Sequence, residues 1–206
     1  MQNKIIAFDL DGVLANFHFS FSLIANGLFG TPVIKDINEV RKYRWQDYTS
    51  ITSKQVSEVW RKIDESNIFW ENLDSLINED TSKRLINLSN DNTLFFVTAR
   101  KHKRVQGCSI IKQTNKWINK NLDGLTGYSV IPTFKKGHIL NAIEANYFID
   151  DNVENIIEVS NDAPNCKSFL LVRPYNAYAI EFFKNSRRYK NFNIVYSVED
   201  FLNEIN

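Results

Sequence analysis

Two aspartates one residue apart, Asp9 and Asp11 in KIIAFDLDGVLANF (4–17), come straight after an apolar run and just before Gly12. Acids so close repel each other unless a cation offsets them. Three more polar clusters stand at the ends of apolar runs or the start of a helical stretch: Thr98, Ala99 and Arg100 in FFVTAR, Lys135 and Lys136 in FKKGHIL, and Asp150 and Asp151 in YFIDDN. Brought together, at least three carboxylates, a hydroxyl and an ammonium make a hard-oxygen site. Mg²⁺ suits such donors because it takes a couple of carboxylates, keeps several waters and accepts a phosphate oxygen. Thr98, Lys136 and backbone N–H groups such as that of Ala99 can then hold the other phosphoryl oxygens. The chemistry this set favours is metal-assisted phosphoryl transfer.

A parallel sheet wrapped by helices would bring these clusters to one edge, because ligands of open α/β sheets bind beyond the carboxyl ends of the strands. Six short apolar runs predict strands at 4–8, 94–98, 128–132, 147–150, 168–172 and 192–196. Their near-continuous hydrophobicity fits strands covered on both faces. Helical patterns fall between them at 79–89, 113–122, 137–145 and 153–160, and a closing helix at 197–205 starts at the cap residue Ser197. Almost ninety residues separate the first two strands, too many for one crossover. Aromatic-rich amphipathic stretches in that interval predict a helical cap over 16–76, inserted into a core made of 1–15 and 77–206.

Bulk properties narrow the function classes. The 206 residues can bury a full core. With 25 basic and 24 acidic residues, nothing marks nucleic acid or an anionic membrane as the main partner. Cys108 and Cys166 lie in no CxxC pattern, which fits reduced thiols. The start MQNKIIAF lacks the marks of a signal peptide, and no apolar run reaches spanning length. A cytoplasmic, soluble protein is expected, and a homodimer is compatible with the chain.

DLDGV, TAR, a lysine and DD, in that order, resemble the four motifs of the haloacid-dehalogenase-like (HAD) phosphatases. More narrowly, DLDGVLANF, SNIFWENLDSL, TAR and FIDDNVENI resemble the 5'(3')-deoxyribonucleotidases and their bacterial and phage relatives. The resemblance implies a Rossmannoid three-layer α/β sandwich with a small cap after the first strand. It makes Asp9 the nucleophile that becomes an aspartyl-phosphate, and Asp11 the acid that protonates the leaving oxygen and later activates water. Mg²⁺ would be held by the Asp9 side chain, the Asp11 backbone carbonyl and Asp150, with Asp151 assisting. Lys136 is preferred to Lys135 as the motif lysine because Gly137 and a helix follow it. Cap aromatics of the family flank a nucleobase, and Phe17, Phe69 and Trp70 fall at matching places. Arg100 departs from the family's TSP pattern; it either binds a second anionic group or faces solvent. The implied substrate is a nucleoside monophosphate.

Each motif alone has a blander reading. An aspartate pair can cap a helix, threonine is common in strands, a lysine pair is often solvated, and tryptophan usually packs in a core. Four matches in order favour the site. A sugar phosphate or other small phosphomonoester is the alternative substrate, and a nucleotide-binding protein without turnover is the alternative class.

Overall fold

A computed structural model describes residues 3–47, 51–100, 109–185 and 192–205. Six parallel strands form one sheet: β1 (Ile5–Phe8), β2 (Thr93–Thr98), β3 (Tyr128–Pro132), β4 (Tyr147–Asp150), β5 (Lys167–Leu171) and β6 (Phe192–Val195), in the order β3-β2-β1-β4-β5-β6. The order reverses at β1, whose neighbours are β2 and β4. Crevices at the carboxyl ends of open parallel sheets lie at such switch points, so the first, second and fourth clusters converge there. Ile6, Ala7, Phe8, Phe96, Phe148, Ile149, Phe169 and Leu170 are fully buried, as strands covered on both faces require.

The elements between β1 and β2 are α1 (Phe17–Phe29), two 3₁₀ turns (Ile37–Glu39 and Trp45–Asp47), α2 (Ser53–Glu65) and α3 (Glu79–Asp91). Thr52 begins α2 with a reciprocal capping box: its hydroxyl accepts from Gln55 N while the Gln55 side chain accepts from Thr52 N. The chain leaves and re-enters the sheet region side by side. Asn16 N donates to Asp74 O and Leu76 N to Leu14 O, each at 2.8 Å. Apolar packing is continuous across this neck, from Leu10 and Leu14 through Phe21 and Val59 to Leu73.

Downstream lie α4 (Ile110–Asn121), α5 (Lys136–Ala142), α6 (Val153–Asp162), α7 (Ala179–Lys184) and α8 (Val198–Ile205). Helix α4 begins three residues before the pattern suggested, because Ser109 accepts from Lys112 N and caps it. Gly137 lets α5 pack on α6; a Cβ there would lie 2.8 Å from Asp162 Cβ and 3.0 Å from Glu158 O. Helix α7 has no counterpart in the sequence reading. Its six residues are too few for a periodic stripe, and it is held by Ala179 and Phe183 in the apolar cluster on one side of the sheet. His102, Cys108, Arg187 and Arg188 lie outside the described residues.

Candidate active site

The turn after β1 places the first two acids. Leu10 O accepts from the N–H groups of Val13, Leu14 and Ala15, and Gly12 sits at φ +89°. That conformation favours glycine, and a Cβ would also collide with the Asp151 carboxylate. Strand β1 ends at Phe8, so both acids belong to the turn that follows it. Their carboxyl groups have different partners.

Asp9 joins Asp150 and Asp151. One carboxylate oxygen from each lies within 4.8 Å of the others, and all three residues are buried. Lys136 Nζ donates to Asp9 Oδ1 at 2.6 Å and to Asp150 Oδ2 at 2.7 Å, with its side chain 1% exposed. Lys135, by contrast, is exposed one residue before α5. Asp150 also accepts from Asn152 N at 2.7 Å and Asn155 Nδ2 at 2.8 Å.

Three buried carboxylates around one ammonium leave an excess of negative charge. Burial raises the Asp9 carboxyl well above the ordinary range; Lys136 opposes this, while Asp150, Asp151 and Asp11 reinforce it. Asp151 is pushed up to about 7 by burial and by Asp150. Burial would depress the Lys136 ammonium, but Asp150 and Asp9 outweigh it and hold the group above its ordinary value.

The donor set fits a hard divalent cation. It is all carboxylate oxygen, and among the described residues no hydrogen bond reaches Asp9 Oδ2 or Asp151 Oδ1. The Asp11 side chain is not one of the trio. The expectation for that residue concerned its backbone carbonyl.

Asp11 is gripped from the other side. Arg100 Nε donates to Asp11 Oδ2 at 2.9 Å and Nη2 to Oδ1 at 2.8 Å, a bidentate pair. Thr98 Oγ1 is 3.5 Å from Asp11 Oδ2 and wholly buried. Arg100 does not face solvent: its side chain is 0% exposed, and it pairs with a carboxylate of the same chain.

A cavity of about 380 Å³ opens beside these groups, walled by Asp11, Asp151, Ala99, Arg100 and residues from 17–70. Phe17 and Trp70 line it, their rings stacked at 5.7 Å. Phe69 is not among its walls; its ring stands edge-on to Trp70 within the apolar cluster. Trp45, Trp60, Tyr43 and His18 complete much of the wall, and the sequence reading singled out none of them for it. His18 stacks between Trp45 and Tyr175, and burial pulls it down to about 4, so it is neutral at physiological pH. Helical spacing from Phe17 was the available signal for Phe21, which packs at 3.8 Å on Trp45.

RPYN (173–176), which follows β5 and to which the sequence alone assigns no contact, also reaches this site. Arg173 Nε and Nη2 donate to Gly12 O at 3.0 and 2.9 Å. Tyr175 hydrogen-bonds to Asp151 Oδ2, and Asn176 Nδ2 donates to Asp151 O at 2.7 Å. This loop ties the first acidic turn to the fourth. Tyr43 makes a similar tie from the segment before α2, accepting from Asn152 Nδ2 at 2.7 Å.

The family model described as 5' nucleotidase, deoxy (pyrimidine), cytosolic type C protein (NT5C) matches residues 3–198. A nucleotidase of Clostridium acetobutylicum is 22% identical over 204 residues, covering 99% of this chain and 97% of its own. Among solved structures, a haloacid dehalogenase-like hydrolase of Streptococcus pneumoniae superposes with a TM-score of 0.61 at 13% identity, covering 99% of each chain. The HAD hydrolase YfnB of Bacillus subtilis, solved bound to magnesium, gives 0.56 at 14% identity over 100% of each chain. These two likenesses establish the HAD-like fold. Among the described residues no helix is long and apolar enough to cross a membrane. With all but a few residues at either end matched by one model, the chain belongs to the NT5C family of deoxyribonucleotide 5'-nucleotidases, and it is a HAD-type phosphatase.

Proposed function

We propose that the protein is a Mg²⁺-dependent cytoplasmic 5'(3')-deoxyribonucleotidase that hydrolyses nucleoside monophosphates through an aspartyl-phosphate on Asp9. The observation that carries this reading is the junction of the Asp9–Asp150–Asp151–Lys136 cluster with an aromatic cavity of about 380 Å³. The family supports the reaction class, and the magnesium bound in the YfnB structure supports the metal.

Asp9 Oδ2, which accepts no hydrogen bond among the described residues, attacks phosphorus while the bond to the ester oxygen breaks. Asp11 gives that oxygen its proton and then takes one from the water that opens the acyl phosphate. Lys136 holds the Asp9 carboxylate and offers its charge to the phosphoryl oxygens, together with Thr98 and the backbone at Ala99. Asp9, Asp150 and Asp151 would hold Mg²⁺, which when bound neutralises charge on the phosphoryl group. Phe17, Trp70 and Trp60 supply the apolar wall against which the base rests. Residues 16–76 act as the cap that excludes water from this reaction.

A panel of phosphomonoesters tests the substrate. Nucleoside monophosphates are expected to exceed a base-free sugar phosphate in kcat/KM, and Trp70→Ala should erase roughly tenfold to a hundredfold of that preference. Equal rates with and without the base would overturn the nucleotide assignment and favour a sugar phosphate.

Metal binding should depend on pH with a definite sign. Carboxyls raised above their unfolded values make the metal-free fold bind extra protons, so its stability falls as pH rises through about 7, where Asp151 titrates. Ligation needs the deprotonated form, so Mg²⁺ must displace those protons. The thermal shift given by a fixed Mg²⁺ concentration should therefore be larger at about pH 8 than at about pH 6. Asp150→Asn should remove most of the shift at both pH values. A shift independent of pH, or one retained in that variant, would contradict the assignment.

A further inference from the structure

Arg100 lies between Asp11 and the wall of the aromatic cavity. Its guanidinium makes two bonds to Asp11, a third from Nη1 to Thr114 Oγ1 at 2.8 Å, and lies 4.6 Å from the centre of the Trp70 ring. Each of its three nitrogens therefore has a partner within the protein, which uses three of its five N–H donors. The supports are themselves fixed. Thr114 is fully buried on α4, and one residue before it Gln113 accepts from Trp70 N at 3.0 Å. Helix α4 thus carries both the hydroxyl behind Arg100 and the anchor of the ring beneath it.

A carboxyl group that must reach an ester oxygen and later a water needs one fixed rotamer. Errors of about 1 Å in such placement cost on the order of a hundredfold in rate. Thr98, at 3.5 Å, holds Asp11 weakly. Arg100 supplies the only short side-chain bonds to Asp11 among the described residues.

We propose that Arg100 is a positioning residue: it sets the orientation of the Asp11 carboxyl group, with Thr114 and Trp70 as its rear support, and does not bind the substrate's phosphate. This rests on Asp11 being the acid and base of the proposed reaction. Because Trp70 also walls the cavity, the same guanidinium couples the seat of the substrate's ring to the group that protonates its ester oxygen. Lysine cannot replace it. One ammonium offers neither the two parallel bonds nor the flat face.

The test is a double-mutant cycle with Mg²⁺ present, reading kcat and KM separately. Arg100→Ala should lower kcat by roughly tenfold to a hundredfold while KM changes by less than about threefold. Arg100→Lys should recover little of the loss. In an Asp11→Asn background, Arg100→Ala should cost less than about twofold further, because there is no acid left to orient. An equal loss in both backgrounds, or a rise in KM with kcat intact, would overturn the proposal and make Arg100 a substrate-binding group. If the alanine variant melts below the assay temperature, Thr114→Val keeps the Arg100–Asp11 pair and removes only its rear bond. It should lower kcat by a few-fold in the wild-type background alone, and an unchanged kcat would count against the proposal. The underlying reading fails separately: an Asp11→Asn enzyme with near-normal kcat would remove the proposed role of Asp11 itself.

Discussion

Asp9→Asn is expected to lower kcat by about 10⁴-fold or more, since loss of a covalent nucleophile removes the pathway and leaves only binding and electrostatic stabilisation. The fold should survive. Asparagine matches the shape of aspartate, keeps an oxygen to accept from Lys136, and relieves one charge of a buried cluster in which desolvation already disfavours the anion. The metal-free variant should therefore melt no lower than the wild type. Circular dichroism and phosphate release, measured on the same preparation, check both halves.

Lys136→Ala is expected to cost stability as well as turnover. Its ammonium is buried and, among the described residues, is the only cation within hydrogen-bond reach of both Asp9 and Asp150. Breaking a buried ion pair by deleting one partner typically costs about 3–5 kcal/mol, because the remaining charge is stranded. Two carboxylates are stranded here. Lys136→Met keeps most of the packing against Phe148, over whose ring the ammonium sits at 5.6 Å, and should isolate the electrostatic share. Urea unfolding of the three metal-free proteins gives the ranking: wild type most stable, both variants well below. Equal midpoints would mean that the carboxylates are not held by this lysine. Lys135→Ala, at an exposed position, should be close to neutral in the same assay.

Much of this arrangement was legible because it is local. Strand β3 and strand β4 coincide with YSVIP and YFID, since a buried parallel strand announces itself as an unbroken apolar run. Asp9, Thr98, Asp150 and Asp151 stand at strand ends, so the topology alone brings them to one edge. Lys136 could be preferred over its neighbour because a glycine and a helix follow it, and the close approach of α5 to α6 at Gly137 is the physical content of that signal.

What escaped the sequence depends on contacts between distant residues. Arg100 meets Asp11 across 89 positions, and Arg173 meets Gly12 across 161. No periodicity encodes such pairs. Phe69 and Trp70 are adjacent in sequence and chemically alike, yet only Trp70 faces the cavity, because its backbone is pinned by Gln113 and its ring lies on Arg100. No ligand spacing marks His18 in the sequence; its place in the wall comes from stacking against Trp45 and Tyr175.

Mass spectrometry of the acid-quenched enzyme most directly tests the central claim, that the buried carboxylate cluster performs covalent phosphoryl transfer. In the Asp11→Asn variant with Mg²⁺ and p-nitrophenyl phosphate, whose leaving group departs without an acid, the phosphoenzyme should accumulate because no base activates water. One phosphoryl group on Asp9, absent from the Asp9→Asn protein, is the predicted result. A quenched enzyme that releases nitrophenol yet carries no phosphoryl group, or carries it on another residue, would contradict the account.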